Sequence, residues 1–222
     1  MSVNEKMTAI ADAIRDKTGG TEALTLDDMA AEIPKVYEEG KKAERDEFWE
    51  VFQNGGKAAN YYYAFHSMRF TDANYHPKYD IVISEGTTTG RSVFQAATRI
   101  TDVKVAIYAN ANNVQMFFSG ATSLKRIPLF YVYASTTYSN TFANCEDLEE
   151  LTMGGTIGQN GFNVQWSKKL NKASIESIVN ALSATTSGLT VTLSKVAVNN
   201  AFTAEEWDAL EATKTNWTIS LV

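Results

Sequence analysis

The stretch TFANCEDLEELTM, residues 141–153, decides how the chain is read, because its spacing returns elsewhere. Phe142 has counterparts at Phe94, Phe118 and Trp166, each 24 residues apart. Three residues after each Phe stands a small side chain: Ala97, Ala121 and Cys145. Six residues after come Ile100, Leu124 and Leu148. Nine residues after come Val103, Ile127, Leu151 and Ile175, and eleven after come Val105, Leu129 and Met153. Several offsets kept in register over three copies indicate a structural repeat.

A period of this length with apolar residues in an L-x-x-L-x-L arrangement has the spacing of a leucine-rich repeat. The expectation is a coil whose short strands, of the Leu148-x-x-Leu151-x-Met153 type, stack on their neighbours. The Phe and the small residue fill each turn, which makes Cys145 a buried small hydrophobe. The fourth copy departs, with Lys172 at offset six. A helix is expected there, capped by Ser174, with Ile175, Ile178, Val179 and Leu182 on its apolar face. LTVTL (189–193) alternates like a strand, Thr203-Ala-Glu-Glu206 reads as a capping box, and Trp217 to Val222 reads as a final strand. Residues 167–222 are therefore expected to cap residues 91–166.

Upstream the character changes. Residues 1–56 hold 7 Lys/Arg against 13 Asp/Glu, whereas residues 57–222 hold 13 of each, so the whole net charge of −6 lies in the first quarter. Met7, Ile10, Ala11 and Ile14 predict a helix ended by Gly19-Gly20. Leu26, Met29, Ala30 and Ile33, opened by Thr25 and Asp28, predict a second, and the two form a hairpin. After Pro34 a polar connector helix is expected to about Phe52. Its apolar end, Phe48, Trp49, Val51 and Phe52, is the expected attachment or oligomerisation surface. Residues 57–90 form an aromatic-rich linker and N-terminal cap, with a short strand from Tyr79 to Ile83. The fold class expected is α+β: helical hairpin and connector, short leucine-rich-repeat solenoid, α/β cap.

The composition excludes several functions. There is no basic footprint for nucleic acid. No apolar run approaches the ~20 residues of a spanning helix, and the N-terminus has no secretory apolar core. Cys145 is the single cysteine, so no internal disulfide or cysteine cluster for zinc is expected. His66 and His76 stand in no catalytic motif. GTTTGRS (86–92) is not a phosphate loop, and MGGTIGQNGF (153–162) opens no dinucleotide-type helix. Glu146, Asp147, Glu149 and Glu150 read as the solvated side of a turn, without calcium-loop spacing. Neither enzyme activity nor a cofactor is expected. The loop YVYASTTYSNTF (131–142) is the expected contact surface, with Tyr131, Tyr133, Thr136, Thr137, Tyr138 and Asn140 as its binding residues.

Four blocks carry a family resemblance. TAIADAIRDKTGGTEALTLDDMAAEI (8–33) is similar to a segment of virion-associated proteins, tail proteins among them, from phages and prophages of gut Firmicutes. GKKAERDEFWEVFQNGG (40–56) with HPKYDIVI (76–83), and SKKLNKASIESIVNAL (167–182) with NWTISLV (216–222), resemble later blocks of those proteins. FANCEDLEEL (142–151) resembles the repeat of BspA-like surface proteins. The resemblance implies a non-enzymatic structural or adhesion protein on a virion surface, made in the bacterial cytoplasm without a signal peptide. Its implied partners are other virion proteins and a host-surface protein or glycan. A trimer is the implied homo-oligomer, although residues 35–53 hold no clean heptad. The alternative function is a carbohydrate-binding module using exposed tyrosines.

Overall fold

Buried apolar side chains recur along residues 90–222, and the elements follow from how they are laddered together. A computed structural model describes residues 3–18, 77, 80–83, 90–109 and 113–222. Two compact units divide the chain, Met1–Val51 and Phe52–Val222. In the first, the described element is α1 (Val3–Thr18). Ala11 and Ile14 are buried on it, as expected of its apolar face, but Ile10 is exposed. The expected second helix, the connector helix and the residues Phe48, Trp49, Val51 and Phe52 lie outside the described residues, as do His66 and His76.

In the second unit, β1 (Ile81–Ile83), β2 (Ala106–Ala109), β3 (Arg126–Val132) and β4 (Glu150–Gly155) form one parallel sheet in chain order. The register pairs Ile107 with Phe130 and Phe130 with Met153. The alternation of a strand then turns Ile81, Ile83, Ile107, Ile127, Phe130, Val132, Leu151 and Met153 to the core. β3 carries a bulge against β4 between Ile127 and Phe130. Pro128 lies inside it, and having no N–H it leaves no ladder donor unpaired there.

The core behind the sheet is a run of phenylalanine rings. Phe94, Phe118 and Phe142 stack at 5.4 and 5.5 Å with interplanar angles of 15°. Phe117 and Phe130 wedge against them, and all five rings are buried. The bends that bring these rings into line also recur. Ser92, Met116 and Asn140 have φ of 57°, 54° and 54°; Ala96, Gly120 and Asn144 have φ of 56°, 75° and 57°. Each turn of chain thus needs two left-handed corners, a conformation costing an ordinary L-residue roughly 1–2 kcal/mol.

The leucine-rich-repeat solenoid expected over 91–166, running into its own cap, is corrected by this architecture. The described residues of the second unit form a small α+β domain with two separate parallel sheets, of four and two strands. Leu124 and Leu148, read as strand residues, are buried in turns that precede β3 and β4. Val103 and Val105 likewise precede β2. Trp166, read as the fourth ring of the series, is half-buried, and Phe162 takes the ring position beside Phe142 at 5.5 Å.

The four-stranded sheet stops at β4 because a helix occupies its edge. That helix, α2 (Lys172–Ala181), is capped by Asn171, whose side chain accepts from Ser174 N; the expected cap was Ser174 itself. The hydroxyls of Ser174 and Ser177 accept from Leu151 N at 2.9 Å and Met153 N at 2.8 Å. Two edge donors are thereby satisfied, and the edge is closed to further pairing. β5 (Leu189–Leu193) and β6 (Trp217–Leu221) pair in parallel as the second sheet. Between them run α3 (Lys195–Ala201), α4 (Ala204–Glu211) and a 3-10 turn (Ala212–Lys214). The Thr203–Glu206 capping box opens α4 as expected. Lys214 Nζ donates to the Leu182 carbonyl at 2.7 Å, placing a cation at the C-terminal end of α2.

Candidate functional site

The solvent face of the four-stranded sheet gathers tyrosines. Its register aligns Val82, Tyr108, Tyr131 and Gly154 across all four strands. Being one residue out of phase with Ile107 and Phe130, these positions face away from the core. The Tyr108 and Tyr131 rings lie 5.7 Å apart at 33°. Tyr131 and Tyr133 meet edge to face at 5.4 Å. Gly154 makes room for the row: a Cβ there would come within 2.7 Å of Tyr131 Cδ2 and 3.0 Å of Leu129 Cδ1. The row ends in open sites, with Val82 45% and Tyr133 41% exposed.

The six binding residues expected from sequence do not share one surface. Tyr131 and Tyr133 belong to the row. Thr136 is buried and holds Tyr133 in a turn: its Oγ1 accepts from Tyr133 N at 3.1 Å, and its own N–H donates to the Tyr133 carbonyl. Thr137 bridges to Asn113, and its carbonyl accepts from Val114 N. Tyr138, read as exposed, is 5% exposed and packs its ring against Phe162 at 5.3 Å. Asn140 is exposed at a left-handed corner.

Sequence reading missed Tyr108 and Gly154, the other half of the row. The signal present was the alternation of Ala-Ile-Tyr-Ala over 106–109. Only the register shows that Tyr108 meets Tyr131, because 23 residues separate them rather than 24.

The Tyr138 hydroxyl is buried with no hydrogen-bond partner, and burial pushes its pKa far up. An unpaired buried hydroxyl costs about 1–3 kcal/mol. Tyr138→Phe is therefore expected to stabilise the fold by about 1 kcal/mol, raising Tm by roughly 2–4 °C. A fall in Tm would show that the hydroxyl has a partner in solution.

Charged groups stand at one end of the sheet. Arg126 lies between Asp102 and Glu150, at 3.2 and 3.1 Å. Lys169 Nζ lies 2.6 Å from Asp147, and that hydrogen bond holds the carboxyl below its ordinary value. Among the described residues, no three potential metal-ligating side chains converge. Cys145 is fully buried, its thiol donating to the Phe118 carbonyl at 3.2 Å, and burial pushes its pKa up to about 12. A thiol so placed is a packing group rather than a nucleophile. Among the described residues, no helix is long and apolar enough to cross a membrane.

Comparison with family models, with curated proteins and with solved structures finds no match. Nothing in them supports the resemblance to phage and prophage virion-associated proteins or to BspA-like surface proteins, and the two-sheet architecture overturns its leucine-rich-repeat part.

Proposed function

We propose that this protein is a non-enzymatic adhesive module whose exposed sheet face binds a neutral glycan chain. The observation that carries the reading is the Tyr108–Tyr131–Tyr133 row held over the flat surface at Gly154. A pyranose offers C–H groups on its faces and hydroxyls around its rim. Tyrosine offers the complement, an apolar ring with a hydroxyl at its tip. Strands β2 and β3 fix Tyr108 and Tyr131, and the Thr136 turn fixes Tyr133, so the rings are held at low entropic cost, as aromatic contact residues are in other binding surfaces. No acid or base interrupts the row across the register Val82–Tyr108–Tyr131–Gly154, which favours an uncharged ligand.

A glycan array followed by calorimetry tests this. The wild-type chain is expected to bind neutral polysaccharides, and Tyr131→Ala and Tyr133→Ala each to lose at least about tenfold in affinity, about 1.4 kcal/mol. Uniform silence of the wild type on a broad array overturns the reading. So does binding that both variants retain in full.

A further inference from the structure

A second, pocket-like site lies where the backbone ladder of the second unit breaks. The N–H groups of Gly90, Ser92, Phe94 and Ala96 donate to the carbonyls of Asn113, Gln115, Phe117 and Ser119 at 2.7–3.0 Å. One turn later, Val114, Met116, Phe118 and Gly120 donate to Thr137, Ser139, Thr141 and Ala143 at 2.8–3.0 Å. The same offset applied again falls on Tyr138, Asn140, Phe142 and Asn144. Yet among the described residues no backbone hydrogen bond joins 138–144 to 160–168.

The cause is a change of phase. The next interior ring is Phe162, 20 residues after Phe142, so the following turn enters out of step with the corners at Asn140 and Asn144. Its backbone comes close to the preceding turn at Gly161. There φ is 96°, and a Cβ would lie 2.6 Å from the Tyr138 carbonyl oxygen. Beside that contact a cavity of about 380 Å³ remains. Ser139 and Asn140 line one side, Asn160 and Asn163 the other, and Thr190 and Thr192 of β5 complete it.

The cavity is preorganised to donate. Asn160 Oδ1 accepts from Thr190 N at 2.8 Å, and Asn163 Oδ1 accepts from Gln165 N at 2.9 Å. Each amide is thereby fixed with its Nδ2 as the donor end. The hydroxyls of Ser139, Thr190 and Thr192 add groups that donate or accept, and no acid or base lines the wall. Isolated polar groups facing such a space favour a ligand that satisfies them.

We infer that this cavity is a binding site for a single neutral sugar ring, held by the Asn140, Asn160 and Asn163 amides and the Ser139, Thr190 and Thr192 hydroxyls. A pyranose is uncharged, carries acceptor oxygens around its whole rim, and is small enough for a pocket at the lower end of ligand-site volumes. The site does not depend on the tyrosine row, which shares no residue with it.

The test is an amide-resolved NMR titration of the full chain with a panel of neutral mono- and disaccharides, and separately with inorganic phosphate. Saturable shifts are expected at the Asn140 backbone and at the Asn160 and Asn163 side-chain amides for at least one sugar. Asn140→Gly keeps the left-handed corner without a side chain, and Thr192→Val keeps the shape of β5 without a hydroxyl. The double variant is expected to stay folded by circular dichroism and to lose at least about tenfold in affinity. Tyr131→Ala is expected to leave these shifts in place, so failure of the sheet-face reading and failure of this one are separately visible. Should no sugar move these amides, or should phosphate alone move them, the inference is overturned. Sugar binding undiminished in the folded double variant overturns it as well.

Discussion

Phe118→Ala is expected to destabilise the second unit by about 4 kcal/mol, lowering Tm by roughly 8–16 °C. Phe118 is fully buried and touches four other rings, those of Phe94, Phe117, Phe130 and Phe142, at centroid distances of 4.8–5.6 Å. Removing it deletes the central member of the stack and its dispersion contacts. The surroundings have little freedom to fill the gap. Phe118 N–H is tied to the Thr141 carbonyl, and its carbonyl receives the Ala121 N–H and the Cys145 thiol. A cavity that cannot collapse sits at the costly end of the large-to-small series. Among the described residues, Phe94 is an end member of the stack with Phe117 and Phe118 as ring neighbours, and Phe94→Ala is expected to cost less. Urea titration measures both: the midpoint should fall for each variant at unchanged slope. A loss below about 2 kcal/mol for Phe118→Ala would show that the turns close over the gap.

The ring stack was legible from sequence because a bulky residue at fixed spacing leaves a trace that survives any detail of the backbone. The strand at Ile81–Ile83, LTVTL of β5, the Thr203–Glu206 box of α4 and the final strand were legible for similar reasons: alternation and capping are local signals. The strands of the first sheet were not. Leu124, Leu148 and Val103 are as buried as any strand residue, and periodicity reports burial, not which part of a buried turn takes the ladder. The corners were hidden too, since Ser92, Ala96 and Met116 carry left-handed φ without the Gly or Asn that normally announces it.

The end of the sheet was the least legible feature of all. It rests on Ser174 and Ser177 of α2 accepting from the β4 backbone, and two hydroxyls on a helix leave no periodic mark. For the candidate site, Tyr131 and Tyr133 were legible as polar aromatics in one stretch. Tyr108 and Gly154 depend on register, and the β3–β4 register that places Gly154 shifts at a bulge around Pro128 that composition does not reveal. Tyr138 was misplaced for a simple reason. A tyrosine in a polar sequence looks exposed, and its burial follows only from Phe162 arriving beside it.

Gly155→Ala is expected to cost about 3 kcal/mol or more, and Gly188→Ala only about 1 kcal/mol, although the two glycines have nearly the same φ, 75° and 74°. Both substitutions pay the same left-handed strain. They differ in what the new methyl meets. At Gly188 nothing lies within 4 Å. At Gly155 a Cβ would fall 2.0 Å from the Val132 carbonyl oxygen and 3.1 Å from its carbon. That carbonyl is not free to retreat, because it accepts from Thr156 N at 3.1 Å and its residue is the register partner of Gly155. The end of β4 must therefore part from β3. The same methyl would lie 3.0 Å from Tyr131 Cε1, so the ring at the centre of the tyrosine row must move with it. Two readouts follow from one substitution. Denaturant midpoints should separate Gly155→Ala from Gly188→Ala by about 2 kcal/mol, and the near-UV circular dichroism of the tyrosines should change in the first variant only. Equal midpoints would mean that β3 and β4 do not approach as closely as Gly155 requires. A lower midpoint with an unchanged tyrosine signal would detach the row from the strand pair beneath it, and with it the support that Gly154 and Gly155 give to the proposed glycan surface.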